Sequence, residues 1–300
     1  MRTIALYGRT IEEGAFPSIN QLLSGLKSRS VKLLCEQSFY QSLTQKYGCT
    51  GMFDDVFTLA DFKQKGAELL LSVGGDGTFL HAVHYVCNTS IPLLGMNIGR
   101  LGFLADFSTD EIETAVDLLA GDNYKMEKRS LLNVKLHGGD MEGYHYAMNE
   151  VSVQKTDTSS LINIYSYVDS EYLTNYWADG LIVATPTGST AYSLSSGGPI
   201  ISPSCRCILL TPLCAHNLGV RALVVPSATN VRLKIMSRSR DFLLSLDSQT
   251  YILSDKIEVE IFYGASEINM LHFPNHSFYK TLREKLHWGE DKRNDNFYVL

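Results

Sequence analysis

The stretch from Ala67 to Val86, AELLLSVGGDGTFLHAVHYV, constrains the fold of this chain more than any other. Leu69, Leu70, Leu71 and Val73 form a short continuous apolar run, the pattern of a strand buried on both faces. Gly74, Gly75 and Gly77 then surround one acid, Asp76. Thr78 is the N-cap candidate for a helix continued by Phe79, Val83 and Val86. Strand, glycine turn and helix start together make an anion site, because free N–H groups converge there and the helix dipole adds partial positive charge. A carboxylate in that place is electrostatically odd beside a phosphate, unless a metal ion or a reacting hydroxyl lies between them. The competing explanation is an aspartate bonding its own turn while the glycines supply left-handed backbone.

Other strands and helices alternate around this unit. Thr3 to Tyr7 and Val31 to Cys35 read as strands. Between them, Ile19, Leu22, Leu23 and Leu26 share one helical face behind Pro17. Phe39 to Tyr47 reads as a weaker helix closed by Gly48. Ile91 to Met96 is a further buried strand entering a second glycine loop, NIGRLGF, at 97–103. Ser108 and Glu111 form a capping box ahead of Ile112, Ala115, Val116 and Leu119. This alternation predicts a doubly wound, Rossmann-like α/β domain over residues 1–124, with ligands at the carboxyl ends of its strands.

Past residue 124 the apolar period becomes two. Leu132, Val134 and Leu136 alternate with polar neighbours, as do Ile162, Ile164 and Val168, then Val231, Leu233 and Ile235, then Ile257, Val259 and Ile261. Asp169, Ser170 and Glu171 read as a hairpin turn. A β-sandwich domain over 125–270 is expected. The segment 271–300 returns to helix through Phe278, Leu282, Lys285 and Leu286, ending at Gly289 before a charged stretch, GEDKRNDN, expected to be solvated.

Composition narrows the function classes. Hydrophobic residues at 45% and charged residues at 19% describe a soluble globule, and a net charge of −6 argues against a nucleic-acid surface. No apolar run nears the ~18 residues of a membrane span. The cysteines at 35, 49, 87, 205, 207 and 214 contain no CxxC pair and read as reduced thiols of a cytoplasmic protein. The nucleophile elbow G-x-S-x-G and the phosphate-loop signature GxxxxGK[ST] are both missing, so neither acyl transfer nor a lysine-bearing phosphate loop is indicated.

Two further stretches carry chemistry. Asn149 and Glu150, inside the apolar strand YAMNEVSV, join donors and acceptors suited to a base edge or ribose hydroxyls; a strand end capping a neighbouring turn explains them equally. In ADGLIVATPTGSTAYSLSSGGPII, at 178–201, small hydroxyls and glycines crowd around Tyr192, allowing close backbone approach to a polar ligand and offering a stacking face. His81, five residues after Asp76, faces either a phosphate or solvent, and His216 is a possible further ligand contact or a structural residue. Asp247, Ser248 and Gln249 read first as a turn.

GGDGT after a strand, NE inside a strand, and DG with TPTGSTAYSLSSGGPI together resemble the NAD kinase family, and NIGRLGFL at 97–104 is similar to a further motif of its N-terminal domain. GGDGT alone is shared with lipid kinases and phosphofructokinases; the 185–200 block is far more specific. The resemblance implies transfer of the terminal phosphoryl group of ATP to the adenosine ribose 2′-hydroxyl of NAD. A divalent cation, Mg²⁺ above all, would accompany ATP, and some bacterial members also use polyphosphate. Residue by residue, it implies Asp76 as catalytic carboxylate, with Gly77 and His81 beside the substrate. Asn149 and Glu150 would hold the adenosine, and Asp179 would meet the nicotinamide side. Thr190, Ala191, Tyr192, Ser193, Leu194 and Ser195 would form the adenine-side loop, with Gln249 in the second domain. It further implies an α/β domain plus a β-sandwich, the C-terminal segment returning to the first domain, and a homodimer or homotetramer. The chain departs from the family pattern at Ser160 and Trp177, where some bacterial relatives carry basic residues, at His81, where others have Arg or Lys, and at Ala215-His216-Asn217-Leu218. The alternatives are a lipid kinase, which would need an apolar acceptor groove, and a non-catalytic NAD(H) sensor, which would not need Asp76.

Overall fold

The computed structural model describes residues 2–288 except 10, 12, 100, 101, 106, 122, 123, 158 and 275. Gly289 with the charged stretch behind it, and Arg100 and Leu101 of the second glycine loop, lie outside the described residues.

The first elements alternate: β1 (Thr3–Gly8), α1 (Phe16–Ser28), β2 (Lys32–Glu36), α2 (Gln37–Tyr47), β3 (Asp55–Phe57), β4 (Leu69–Val73), α3 (Asp76–Val86), β5 (Leu93–Asn97), β6 (Phe107–Ser108) and α4 (Ile112–Ala120). Strands then dominate: β7 (Lys125–His137), β8 (Tyr146–Ala147), β9 (Glu150–Gln154), β10 (Ile162–Val168), β11 (Glu171–Ala178) and β12 (Gly180–Ala184). After the short helix α5 (Tyr192–Ser195) come β13 (Cys207–Leu213), β14 (Leu223–Pro226), β15 (Val231–Met236), β16 (Asp241–Leu246), β17 (Gln249–Ser254), β18 (Glu258–His272) and α6 (Phe278–Leu286). The chain divides into two compact units: one takes the chain up to Glu127 and again from Asn269, the other runs from Lys128 to Ile268.

In the first unit the sheet is parallel, in the order β3-β2-β1-β4-β5, and Met270 near the end of β18 pairs with Leu93 of β5. Every residue of β4 and β5 is buried, as strands covered on both faces require. The order reverses between β1 and β4, and in doubly wound sheets ligands bind at that reversal, outside the strands' carboxyl ends. The GGDGT turn leaves β4 there. The capping box forms, with the Ser108 side chain and Glu111 serving the turn before α4, and Gly48 closes α2 in left-handed conformation at φ 68°.

In the second unit two sheets share one core. An antiparallel sheet runs β14-β13-β12-β9-β16-β17, and the other joins β11, β10, β15 and β18. Val151, Val153, Leu181 and Val183 from one meet Ile162, Ile164, Leu233 and Val259 from the other. This is the sandwich that the period-two alternation predicts. Asp169 and Ser170 adopt positive φ in the β10–β11 hairpin, as a tight turn between twisted strands requires. The cysteines form no disulfide, and among the described residues no helix is long and apolar enough to cross a membrane.

Candidate active site

In the first unit the helix begins three residues earlier than the Thr78 cap would place it. Gly75 occupies the N-cap position in extended conformation, and Asp76 opens the first turn of α3. The Asp76 carboxylate bonds neither its own turn nor its own helix. Oδ2 accepts the N–H of Phe103 at 2.8 Å and Oδ1 that of Leu104 at 3.1 Å, so the second glycine loop wraps the acid. Gly102 makes this possible: a Cβ there would lie 1.7 Å from Asp76 Oδ1. Gly75 and Gly77 face open space, leaving the turn backbone accessible to an anion. His81 lies farther along α3, where burial, with the Arg9 charge, lowers its pKa below the usual histidine range. It is therefore neutral at physiological pH. Its ring meets His84 edge-on at 6.2 Å.

In the second unit the organising acid is Asp247. It sits in the β16–β17 turn in left-handed conformation, half-buried, and accepts the backbone N–H groups of Met148, Asn149 and Glu150 at 2.7, 2.8 and 3.0 Å. Its own N–H returns a bond to the Glu150 carbonyl at 3.0 Å. This clamp fixes the chain at the start of β9. Asn149 Oδ1 and Glu150 Oε2 are both buried with no hydrogen-bond partner among the described residues. Burial, with the neighbouring Asp247 charge, pushes the Glu150 carboxyl up to about 8, while burial raises Asp247 to about 6 against the pull of its three N–H donors. Two unpartnered acceptors in a fixed frame are the groups that a ligand with hydroxyls and an amino group would satisfy.

The 185–198 loop splits into scaffold and surface. Thr185 donates its hydroxyl to Met148 O at 2.6 Å and accepts the N–H of Gly188, while Ser189 bonds Pro186 O. Gly188 packs so close that a Cβ would lie 2.1 Å from Asn149 O. Many of the hydroxyls thus build the loop instead of facing a ligand. Ser193 in particular is fully buried against Thr211 at 2.8 Å, so of the 190–195 run its hydroxyl is committed internally. Thr190 and Ala191 are half-buried at the end of the short turn, Leu194 is half-buried, and Ser195 is exposed. Tyr192, 40% exposed at the start of α5, keeps an open ring face.

Asp179, between β11 and β12, pairs with Lys155 at 2.5 Å. Gln249 accepts the Tyr251 hydroxyl at 2.7 Å at the start of β17. His216 is exposed and packs on Trp177, ring centres 4.3 Å apart, with its N–H bonded to Trp177 O. Asp247, Lys155 and Gly102 escape sequence reading. Asp247 looks like any turn aspartate, and its three partners lie nearly a hundred residues away.

Comparison with known proteins settles the family. The model described as the ATP-NAD kinase N-terminal domain matches residues 4–124, and that of the ATP-NAD kinase C-terminal domain matches 148–273. The chain belongs to the NAD kinase family. It is an enzyme with that family's activity. The NAD kinase of Flavobacterium psychrophilum is 41% identical over 293 residues, covering 97% of this chain and 99% of that protein. The NAD kinase of Cytophaga hutchinsonii is 40% identical over 296 residues, covering 97% and 99%. Among solved structures, yeast NADH kinase complexed with NADH aligns with a TM-score of 0.83 at 26% identity, covering 100% of this chain and 90% of that one. An NAD kinase from Archaeoglobus fulgidus in complex with ATP shares the fold, with a TM-score of 0.73 at 21% identity over 96% and 99% of the two chains. No finding supports a lipid kinase or a non-catalytic sensor.

Proposed function

We propose that Asp76 is the acid at the reacting hydroxyl when this family member phosphorylates the adenosine ribose 2′-hydroxyl of NAD with ATP. The observation that carries this reading is the cradle of Asp76. Its two accepted N–H bonds and the Gly102 contact fix the carboxylate beside an open glycine turn, at the reversal point of the sheet. A carboxylate offers about four acceptor directions, so two backbone donors leave room for a substrate hydroxyl. Asp76 orients the 2′-hydroxyl and takes its proton as the oxygen attacks the terminal phosphorus. The open amides of the GGDGT turn hold phosphate oxygens. Asn149 and Glu150 bind the adenosine through their unpartnered oxygens, and a protonated Glu150, favoured by its raised pKa, also donates. Thr190, Ala191, Tyr192, Leu194, Ser195 and Gln249 line the adenine side, with Ser193 acting as scaffold. Asp179 serves the nicotinamide side, held by Lys155. Gly77, His81 and His216 are further contacts.

Among the described residues no group of three or more His, Cys, Asp or Glu side chains is placed to hold a metal ion. Mg²⁺ would be carried on ATP, since magnesium characteristically takes one or two carboxylates plus substrate phosphates. Asp76 is the carboxylate that would reach it, and the ion would neutralise phosphate charge. The six cysteines without a disulfide accord with a cytoplasmic location, and a homodimer or homotetramer is the assembly that the family resemblance suggests.

The test is an NADP-producing assay coupled to a dehydrogenase, run on wild type and Asp76→Asn with NAD, ATP and Mg²⁺. General-base assistance is worth about 10²–10⁴ in rate, so kcat should fall by that much while NAD still binds. Full turnover by Asp76→Asn would falsify the assignment.

A further inference from the structure

Lys285 stands apart from the other basic side chains of α6. It lies in the last turn of α6, where Lys280 and Arg283 of the same helix reach solvent. Its Nζ instead is buried, with no hydrogen-bond partner among the described residues. The charges acting on it are Asp76 from α3 and Glu284 from its own helix, and Glu284 is turned to Lys280 at 3.8 Å. An ammonium carries three donors and no acceptor, and leaving it dry and unpaired is among the costlier arrangements in a protein. Burial lowers its pKa to about 8, opposed by the two carboxylates, so it is still largely charged at neutral pH.

Phosphoryl transfer needs a cation near the reacting groups. The transferring group is anionic, and Asp76 adds a second negative charge beside it. The loose transition state is reached by positioning and charge neutralisation. Phosphate-binding loops of the GxxxxGK[ST] type carry their own lysine for this purpose, and the GGDGT turn has none.

We propose that Lys285 is a catalytic residue, its ammonium binding oxygens of the terminal phosphoryl group of ATP beside Asp76 and supplying from the C-terminal helix the cation that the glycine turn lacks. The proposal rests on Asp76 acting at the reacting hydroxyl. In the step, the ribose 2′-oxygen bonds to the terminal phosphorus and the bond from that phosphorus to the bridging oxygen breaks. ADP leaves with the electron pair, and the hydroxyl proton passes to Asp76. Lys285 donates hydrogen bonds throughout and keeps its protons. The three unused donors gain their acceptors when the triphosphate binds.

The test compares full-length Lys285→Met, which keeps the stem and removes the charge, with Lys285→Arg, which keeps the charge. Steady-state kinetics against ATP are read beside NAD affinity by calorimetry and the melting temperature. Removal of one preorganised donor costs about 10²–10³, so Lys285→Met should lose that factor in kcat/KM for ATP, with Lys285→Arg recovering roughly ten-fold. NAD affinity should stay at the wild-type value, and the melting temperature of Lys285→Met should not fall, because the substitution removes a dry, unpaired charge. Wild-type kcat/KM for ATP in Lys285→Met would overturn the proposal. So would equal losses in both variants accompanied by weakened NAD binding, which would mark a purely structural lysine. Asp76→Asn assayed in parallel separates the two readings. Activity retained there defeats the role of Asp76, whereas an ATP-specific defect in Lys285→Met alone reports on Lys285.

Discussion

Glu150 offers the sharpest test of how the proposed NAD side of the enzyme is built. Its carboxyl is buried, has an unpartnered oxygen, lies beside Asp247, and has a pKa near 8 against an ordinary 4.5. Because the folded value lies above the unfolded one, the folded protein holds this proton longer. The stabilisation is complete below about pH 4 and is lost as pH rises through about 8. Between pH 5 and pH 8 the linkage amounts to about 3 kcal/mol, at 1.36 kcal/mol per unit of pKa difference. Glu150→Gln removes the titration and nearly keeps the shape, and titrating groups away from the Glu150–Asp247 pair cancel in the comparison. The free-energy difference between Glu150→Gln and wild type, from urea unfolding at a series of pH values, should therefore shift in favour of the variant by about 3 kcal/mol from pH 5 to pH 8. The fixed cost of a buried amide offsets the curve without changing its slope. A difference that does not vary with pH would refute the reasoning, since it would mean that Glu150 ionises normally in the folded protein and is not a dry, unsatisfied acceptor.

Two other substitutions probe the frames that hold the candidate residues. Gly102→Ala places a Cβ 1.7 Å from Asp76 Oδ1, so the acid or the loop must move; activity should fall by about 10²-fold or more with NAD affinity retained. Wild-type kcat in that variant would show that the cradle of Asp76 is dispensable. Asp247→Ala strands three buried N–H groups at once, and at about 1–3 kcal/mol for each unsatisfied donor the second unit should lose several kcal/mol, with NAD binding weakened in step. Denaturant melts and NAD calorimetry measure both, and unchanged affinity would detach Asp247 from the positioning of Asn149 and Glu150.

Much of the fold was legible because the signals are local. Strand β4, its glycine turn and α3 are written in twenty consecutive residues, and the change of period after residue 124 marks the sandwich. The helix start shows the limit even of local reading: a threonine suited to capping lost the position to Gly75, whose extended backbone lets Asp76 enter the first turn with its carboxylate facing another loop. The hydroxyl-rich block was visible as unusual, but composition could not separate Tyr192, which stays open, from Ser193, which is spent on Thr211.

What the sequence by itself determined is the set of chemical groups: an acid among glycines, an amide beside a carboxylate, and a loop of small hydroxyls with one aromatic. Tertiary structure alone decided which of them are committed and which are left open. Asp76 finds its donors 27 and 28 residues away, Asp247 finds its donors 97 to 99 residues away, and the Lys285 ammonium is buried with the Asp76 charge acting on it from a helix about two hundred residues earlier in the chain. The physical reason is that hydrogen bonds and desolvation act over a few ångströms of space. Periodicity describes neighbours along the chain, whereas the charge state and free valences of a side chain depend on neighbours that only folding brings near.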